Sequence, residues 1–87
     1  MKLAFTKTSE KHLNKIKSNK VLKAKVYELF EVLEENPFKY PPAYEKLTGD
    51  LEGKYSRRIN IKHRLVYEVD EDKKIVKILS LWSHYEF

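Results

Sequence analysis

The sequence predicts an α+β domain in which two N-terminal helices pack on one face of a small, mainly antiparallel sheet, in the order β-α-α-β-β-β. Three observations predict it. Residues 54–69, KYSRRINIKHRLVYEV, alternate with period two, as in two strands joined by a tight turn: Tyr55, Ile59, Ile61, Leu65, Tyr67 and Val69 occupy odd positions, and Arg58, Asn60, Arg64 and Glu68 even ones. Residues 20–36 instead repeat apolar side chains at spacings of three and four, the period of an amphipathic helix. The length of 87 residues, with 41% hydrophobic and 36% charged content, 2 Gly and 3 Pro, suits one domain over residues 1–87 whose core must be used fully.

In chain order, residues 2–6 read as a short strand with Leu3 and Phe5 on one side. Thr8 or Ser9 can cap a helix, because a hydroxyl oxygen accepts a backbone N–H of the exposed first turn; Leu13 and Ile16 then follow at helical spacing. Ser18 and Asn19 interrupt that helix, and Asn19 can cap the next. Over residues 20–36 the stripe is Val21, Leu22, Val26, Leu29, Phe30 and Leu33. Lys20, Lys23 and Lys25 near the start and Glu28, Glu31, Glu34 and Glu35 near the end oppose the helix dipole, so burial must hold this helix. Asn36 and Pro37 end it. Residues 37–42, PFKYPP, read as a rigid loop over a core edge. Gly49 and Gly53 mark turns, and Glu45 lies on the stretch feeding the basic hairpin. Residues 74–84, KIVKILSLWSH, are the last strand. Pairing Asp70 with Lys74 keeps Ile75, Leu79 and Leu81 on the odd, core face. It also sets Arg64 opposite Ser80, with Trp82 and His84 further along the even face.

Composition narrows the function. A net charge of +5 favours an anionic partner, nucleic acid or acidic protein, since basic side chains gain free energy by releasing counterions from phosphates. The absence of cysteine removes disulfides and thiolate metal sites. The opening MKLAFTKTSEKHL has no apolar core of a signal peptide, and no apolar run is long enough to cross a bilayer, so a cytoplasmic protein is expected. Nothing resembles a metal site, a phosphate-cradling glycine loop or a nucleophile triad, and no cofactor is expected.

The even face carries Arg58, Arg64 and His84, with Glu45 on the loop before it and Tyr85 just after. Cleaving RNA requires a base for the ribose 2′-hydroxyl, a cation for the charge building on the phosphorus, and an acid for the departing 5′-oxygen. A carboxylate, an arginine and a histidine supply all three, and histidine titrates near neutrality. Each residue also has a plainer role open to it. Arg57, Arg58 and Arg64 could form ion pairs with Glu52 or Glu68, the favoured reading for Arg57 even though it adds to the basic face. Glu45 could cap a loop. Trp82 and Tyr85 could be core or edge residues, or, if exposed, a platform on which bases stack. His12 and His63 are assigned to the surface.

The stretch EKLTGDLEGKYSRRINIKHRLVYEV, with the block L-x-G-x-x-S-R-R-I-x-x-x-H-R-L-V-Y and a terminal His-Tyr, resembles the YoeB/Txe toxins of the RelE/ParE superfamily across essentially the whole chain. The resemblance implies an mRNA endoribonuclease acting in the ribosomal A site and held inactive by an acidic antitoxin of the YefM/Axe kind. It also implies Glu45 as general base, Arg64 as the phosphate-stabilising arginine, His84 as general acid, Tyr85 as the terminal tyrosine of the site and Arg58 as a supporting arginine. Arg57 and Trp82 join Arg58 as candidate RNA contacts. Ribosome-bound mRNA and the antitoxin are the expected partners, and a homodimer is open. Thr48 and Trp82 stand where some relatives carry a lysine and an arginine, and Glu86 and Phe87 extend past the usual end. Two other classes of answer remain: a non-enzymatic gyrase poison of the ParE type, which generally lacks this Glu, Arg and His-Tyr set, and a basic module that only grips an antitoxin or nucleic acid.

Overall fold

A computed structural model of the chain describes residues 1–82; the expectations for His84 and Tyr85 therefore lie outside the described residues. Thr6 follows β1 (Lys2–Phe5) in extended backbone, and its hydroxyl oxygen accepts the Ser9 N–H at 3.1 Å. Thr6, and not Thr8 or Ser9, therefore caps α1 (Lys7–Ile16). The Thr6 hydroxyl also reaches the Leu79 carbonyl at 3.2 Å, a distant partner that no local pattern reveals. Asn19 caps α2 (Lys20–Glu35) as expected, its side chain accepting the Leu22 N–H at 3.1 Å.

Burial decides the fate of α2. Leu22, Val26, Leu29, Phe30 and Leu33 are all buried. Each such side chain contributes ~1.5–3 kcal/mol, against ~0.3–1 kcal/mol for a charge placed against the helix dipole, so the stripe wins. Val21 is 83% exposed, outside the stripe in which spacing placed it. One residue before Leu22 is a rotation of about 100°, too far for both to face the core.

The remaining elements are β2 (Glu45–Lys46), a short 3₁₀ turn (Gly49–Leu51), β3 (Lys54–Arg58), β4 (Arg64–Asp70) and β5 (Ile75–Ser80). They complete a five-stranded sheet in the order β1-β5-β4-β3-β2, with β1 parallel to β5 and every other pair antiparallel. The two-residue β2 adds a strand to the expected order. Gly49 (φ 66°) and Gly53 (φ 88°) carry the chain from β2 into β3 through left-handed backbone that other residues resist. Both helices lie on one face, where Ile16, Leu22, Val26, Leu29 and Leu33 meet Leu65, Tyr67, Val76, Ile78 and Leu81.

Two expectations about register are corrected. Asp70 pairs with Ile75, not Lys74, and a shift between Val66 and Tyr67 pairs Val66 with Ser80 and Tyr67 with Ile78, leaving Leu79 as an extra residue. The β5 residues in the helix-facing core are thus Val76 and Ile78; Ile75 is only half-buried, and Leu79 is buried at the bulge, outside that cluster. Ser80 lies opposite Val66 rather than Arg64. Ile61, expected inside, is 91% exposed because strand alternation stops at Ile59. There the Asn60 side chain accepts the N–H groups of Lys62 (2.9 Å) and His63 (2.7 Å) and closes the turn. Among the described residues no helix is long and apolar enough to cross a membrane.

Candidate active site

The face of the sheet turned away from the helices carries a row of paired residues: Glu45 opposite Ser56, Ser56 opposite Val66, and Val66 opposite Ser80. One step along, Arg58 faces Arg64. Ala43, Tyr44, Glu45, Ser56, Arg58 and Arg64 line a cleft of about 270 Å³ on this face. Glu45, expected on a loop, instead lies in the two-residue β2, opposite Ser56, with its neighbour Lys46 opposite Tyr55. Its Oε1 lies 3.9 Å from Arg64 Nη1. The carboxylate is 68% exposed and the arginine 30%, so this ion pair is loose and contributes ~0–1 kcal/mol at most. Both groups can exchange partners when a ligand enters.

Two further features bear on what the cleft can hold. Like charges placed directly across a strand pair disfavour the sheet, yet Arg58 and Arg64 stand so, and a phosphate between them would reverse the sign of that term. The Ser56 hydroxyl, which lines the cleft, is buried without a hydrogen-bond partner among the described residues. Leaving such a group unpaired costs about 1–3 kcal/mol. Ser56 was not singled out in the sequence, although it sits two residues before Arg58 and the strand period alone puts the pair on one face.

Arg57 sits on the other side of the same strand and is 1% exposed, so it is no surface contact for RNA. Neither is it held by the carboxylates of Glu52 or Glu68. Its Nη2 donates to the carbonyls of Pro37 (3.0 Å) and Lys39 (2.9 Å), its Nη1 to that of Pro42, and its Nε to the Tyr67 hydroxyl (3.2 Å). The Tyr67 hydroxyl in turn donates to Pro37 O at 2.8 Å. Burial pushes the Tyr67 phenol above its ordinary pKa, with the nearby Arg57 pulling the other way. Tyr44 and Tyr67 lie against this cation, their ring centres 4.9 and 6.0 Å from the guanidinium carbon, and Phe38 and Tyr55 pack on those two rings. Arg57 shares the odd parity of Tyr55 and Ile59, a signal that its reading as an ion pair or RNA contact left unused.

Trp82 is likewise no open stacking platform beside the two arginines. Its ring is wedged between α1 and the β3–β4 turn, 4.6 Å from the His63 ring, 6.2 Å from that of His12 and 5.3 Å from Lys15 Nζ. His12, expected at the surface, is buried, and its Nδ1 accepts the Leu81 N–H at 3.1 Å. Beyond the end of β1, α1 takes over that edge of β5, and an imidazole nitrogen does the work of a strand carbonyl. The structure thus brings Glu45, Arg58 and Arg64 together, withdraws Arg57 and Trp82, and adds Ser56.

Residues 5–85 match the family model of the YoeB-like toxin of the bacterial type II toxin-antitoxin system. The chain is 36% identical to toxin YoeB of Synechocystis over 87 residues, 99% of each chain. It superposes on a YoeB/ParE toxin from Agrobacterium tumefaciens with a TM-score of 0.90 at 29% identity, covering 98% of this chain and 100% of that one. Against the YoeB-YefM complex from Staphylococcus aureus the TM-score is 0.84 at 34% identity, with 98% of each chain covered. Family model, sequence identity and fold agree, and the chain belongs to the family of YoeB-like toxins of bacterial type II toxin-antitoxin systems.

Proposed function

We propose that this toxin is a ribosome-dependent mRNA endoribonuclease that cuts by attack of a ribose 2′-hydroxyl on the adjacent phosphate. The observation that carries the reading is the loose 3.9 Å approach of Glu45 to Arg64 in a cleft that also holds Arg58 opposite Arg64. Glu45 takes the 2′-hydroxyl proton as the 2′-oxygen bonds to phosphorus. Arg64, supported by Arg58, stabilises the charge that grows on the non-bridging oxygens, and the bond to the 5′-oxygen breaks. His84 gives that oxygen its proton, which leaves a 2′,3′-cyclic phosphate and a 5′-hydroxyl, and Tyr85 is assigned to the same site by the family resemblance. These side chains supply base, positive charge and acid, so the chemistry as written asks for no metal.

The natural restraint on this activity is an acidic antitoxin of the YefM kind, a reading supported by the S. aureus relative solved as a YoeB-YefM complex and by the net charge of +5 here. Such a chain would lay carboxylates over Arg58 and Arg64, and its affinity would fall as salt rises. Primer extension on a translated mRNA tests the enzymatic reading. Cuts that require ribosomes support it. RNA left intact, together with inhibited gyrase supercoiling, would replace it with the ParE-type alternative.

A further inference from the structure

The buried Arg57 cluster has a geometry that bears on the cleft although it does not touch it. Its guanidinium is bonded to carbonyls at Pro37, Lys39 and Pro42, all on the loop that joins α2 to β2. Three residues after the last of these carbonyls comes Glu45. Between them Tyr44 lies over the same guanidinium, 4.9 Å from its carbon, and packs its ring against Phe38 and Tyr55. On the other side Arg57 is flanked by Ser56 and Arg58, both of which line the cleft. One planar guanidinium therefore ties the strand that bears Ser56 and Arg58 to the loop that delivers Glu45. The strand carrying Glu45 is only two residues long, so its own ladder bonds fix it weakly.

We infer that Arg57 is a positioning residue: by clamping the carbonyls of residues 37–42 onto β3, it sets the Glu45 carboxylate against Arg64. The inference rests on the reading of Glu45 as general base. Tyr67 completes the clamp, since its hydroxyl accepts from Arg57 Nε and donates to Pro37 O. Lysine at position 57 keeps the charge but offers a single ammonium in place of a planar fork, and cannot reach three carbonyls and a hydroxyl in these directions.

The test compares Arg57→Lys and the milder Tyr67→Phe with the parent protein in two assays: single-turnover cleavage of ribosome-bound mRNA, and amide hydrogen exchange. A displaced base of about 1 Å costs on the order of 10²-fold in rate. Arg57→Lys should therefore cut ~10²-fold more slowly at saturation with an unchanged half-saturating ribosome concentration, and Tyr67→Phe should fall between it and the parent. Exchange should quicken over residues 37–46 and stay at the parent rate in α2 and β4. Faster exchange in that segment with an undiminished cleavage rate would overturn the inference, as would faster exchange spread over the whole chain, the sign of a merely stabilising side chain. A parent protein that cuts no RNA would defeat the nuclease reading by itself; the clamp would then stand or fall on whether exchange quickens in residues 37–46 alone.

Discussion

Arg57 and Arg58 are consecutive in β3, yet one is 1% exposed and makes four hydrogen bonds to protein oxygens, and the other is exposed and faces a second arginine across the strand pair. The pleat separates them, and what covers each face gives them different work. Over Arg57 lie the loop of residues 37–42 and the rings of Tyr44 and Tyr67; beside Arg58 lies an open cleft with a carboxylate in its lining. A count of basic residues is therefore no map of where an anion binds. On this sheet the side of the strand decides, and a cation on the wrong side becomes part of the frame.

Substitutions can break or sharpen that contrast. The largest effect is expected on the open face: Arg64→Ala should lower cleavage ~10²- to 10³-fold, the typical result of removing one group that stabilises transition-state charge. Its circular dichroism should remain that of the parent, because the side chain contributes little to the core. A folded variant with full activity would remove Arg64 from the mechanism. On the covered face, Arg57→Ala should cost about 3 kcal/mol or more in urea unfolding, through the cavity and the buried carbonyls left unpaired.

Arg58→Ala should change stability by no more than ~0.5 kcal/mol, and in the stabilising direction if like-charge opposition to Arg64 is felt. The same substitution should flatten the salt dependence of antitoxin binding. If Arg57→Ala and Arg58→Ala proved equally costly to unfold, the contrast between the two faces would collapse. The smallest effect concerns pH. The folded state holds the Tyr67 phenolic proton more tightly than the unfolded chain does, so this group contributes stability that is intact below pH 10.0, the unfolded value, and is lost as pH rises from there through the raised folded value. Denaturation of Tyr67→Phe across that range should show a shallower decline than the parent; parallel declines would mean that Tyr67 ionises alike in both states.

Much of this architecture was legible in the sequence, and the places where it was not share a cause. The helix stripe from Leu22 to Leu33 and the alternation in β3 and β4 are clean local periods, so the α+β class and the placing of Arg58 and Arg64 on one face follow from them, whereas their direct opposition is set by the register. In β5 the apolar residues Ile75, Val76, Ile78, Leu79 and Leu81 occupy both parities, so periodicity could not choose a register, and the extra residue at Leu79 shifted it again. The two-residue β2 is too short to leave a period at all. Arg57, His12 and Trp82 were misplaced because their partners come from distant parts of the chain: loop carbonyls, a strand end beyond β1 and the face of α1. Ser56 was overlooked because an unpaired hydroxyl is visible only once its surroundings are known.

The central claim is that Glu45 and Arg64 act on one phosphate in one cleft, and a double-mutant cycle of single-turnover cleavage on ribosome-bound mRNA tests it most directly. Groups that serve the same transition state are strongly non-additive. Glu45→Ala and Arg64→Ala should each slow cleavage severely, and the double variant should fall little below the poorer single one. Losses that multiply, in variants that stay folded, would place the two side chains in separate roles and contradict the account.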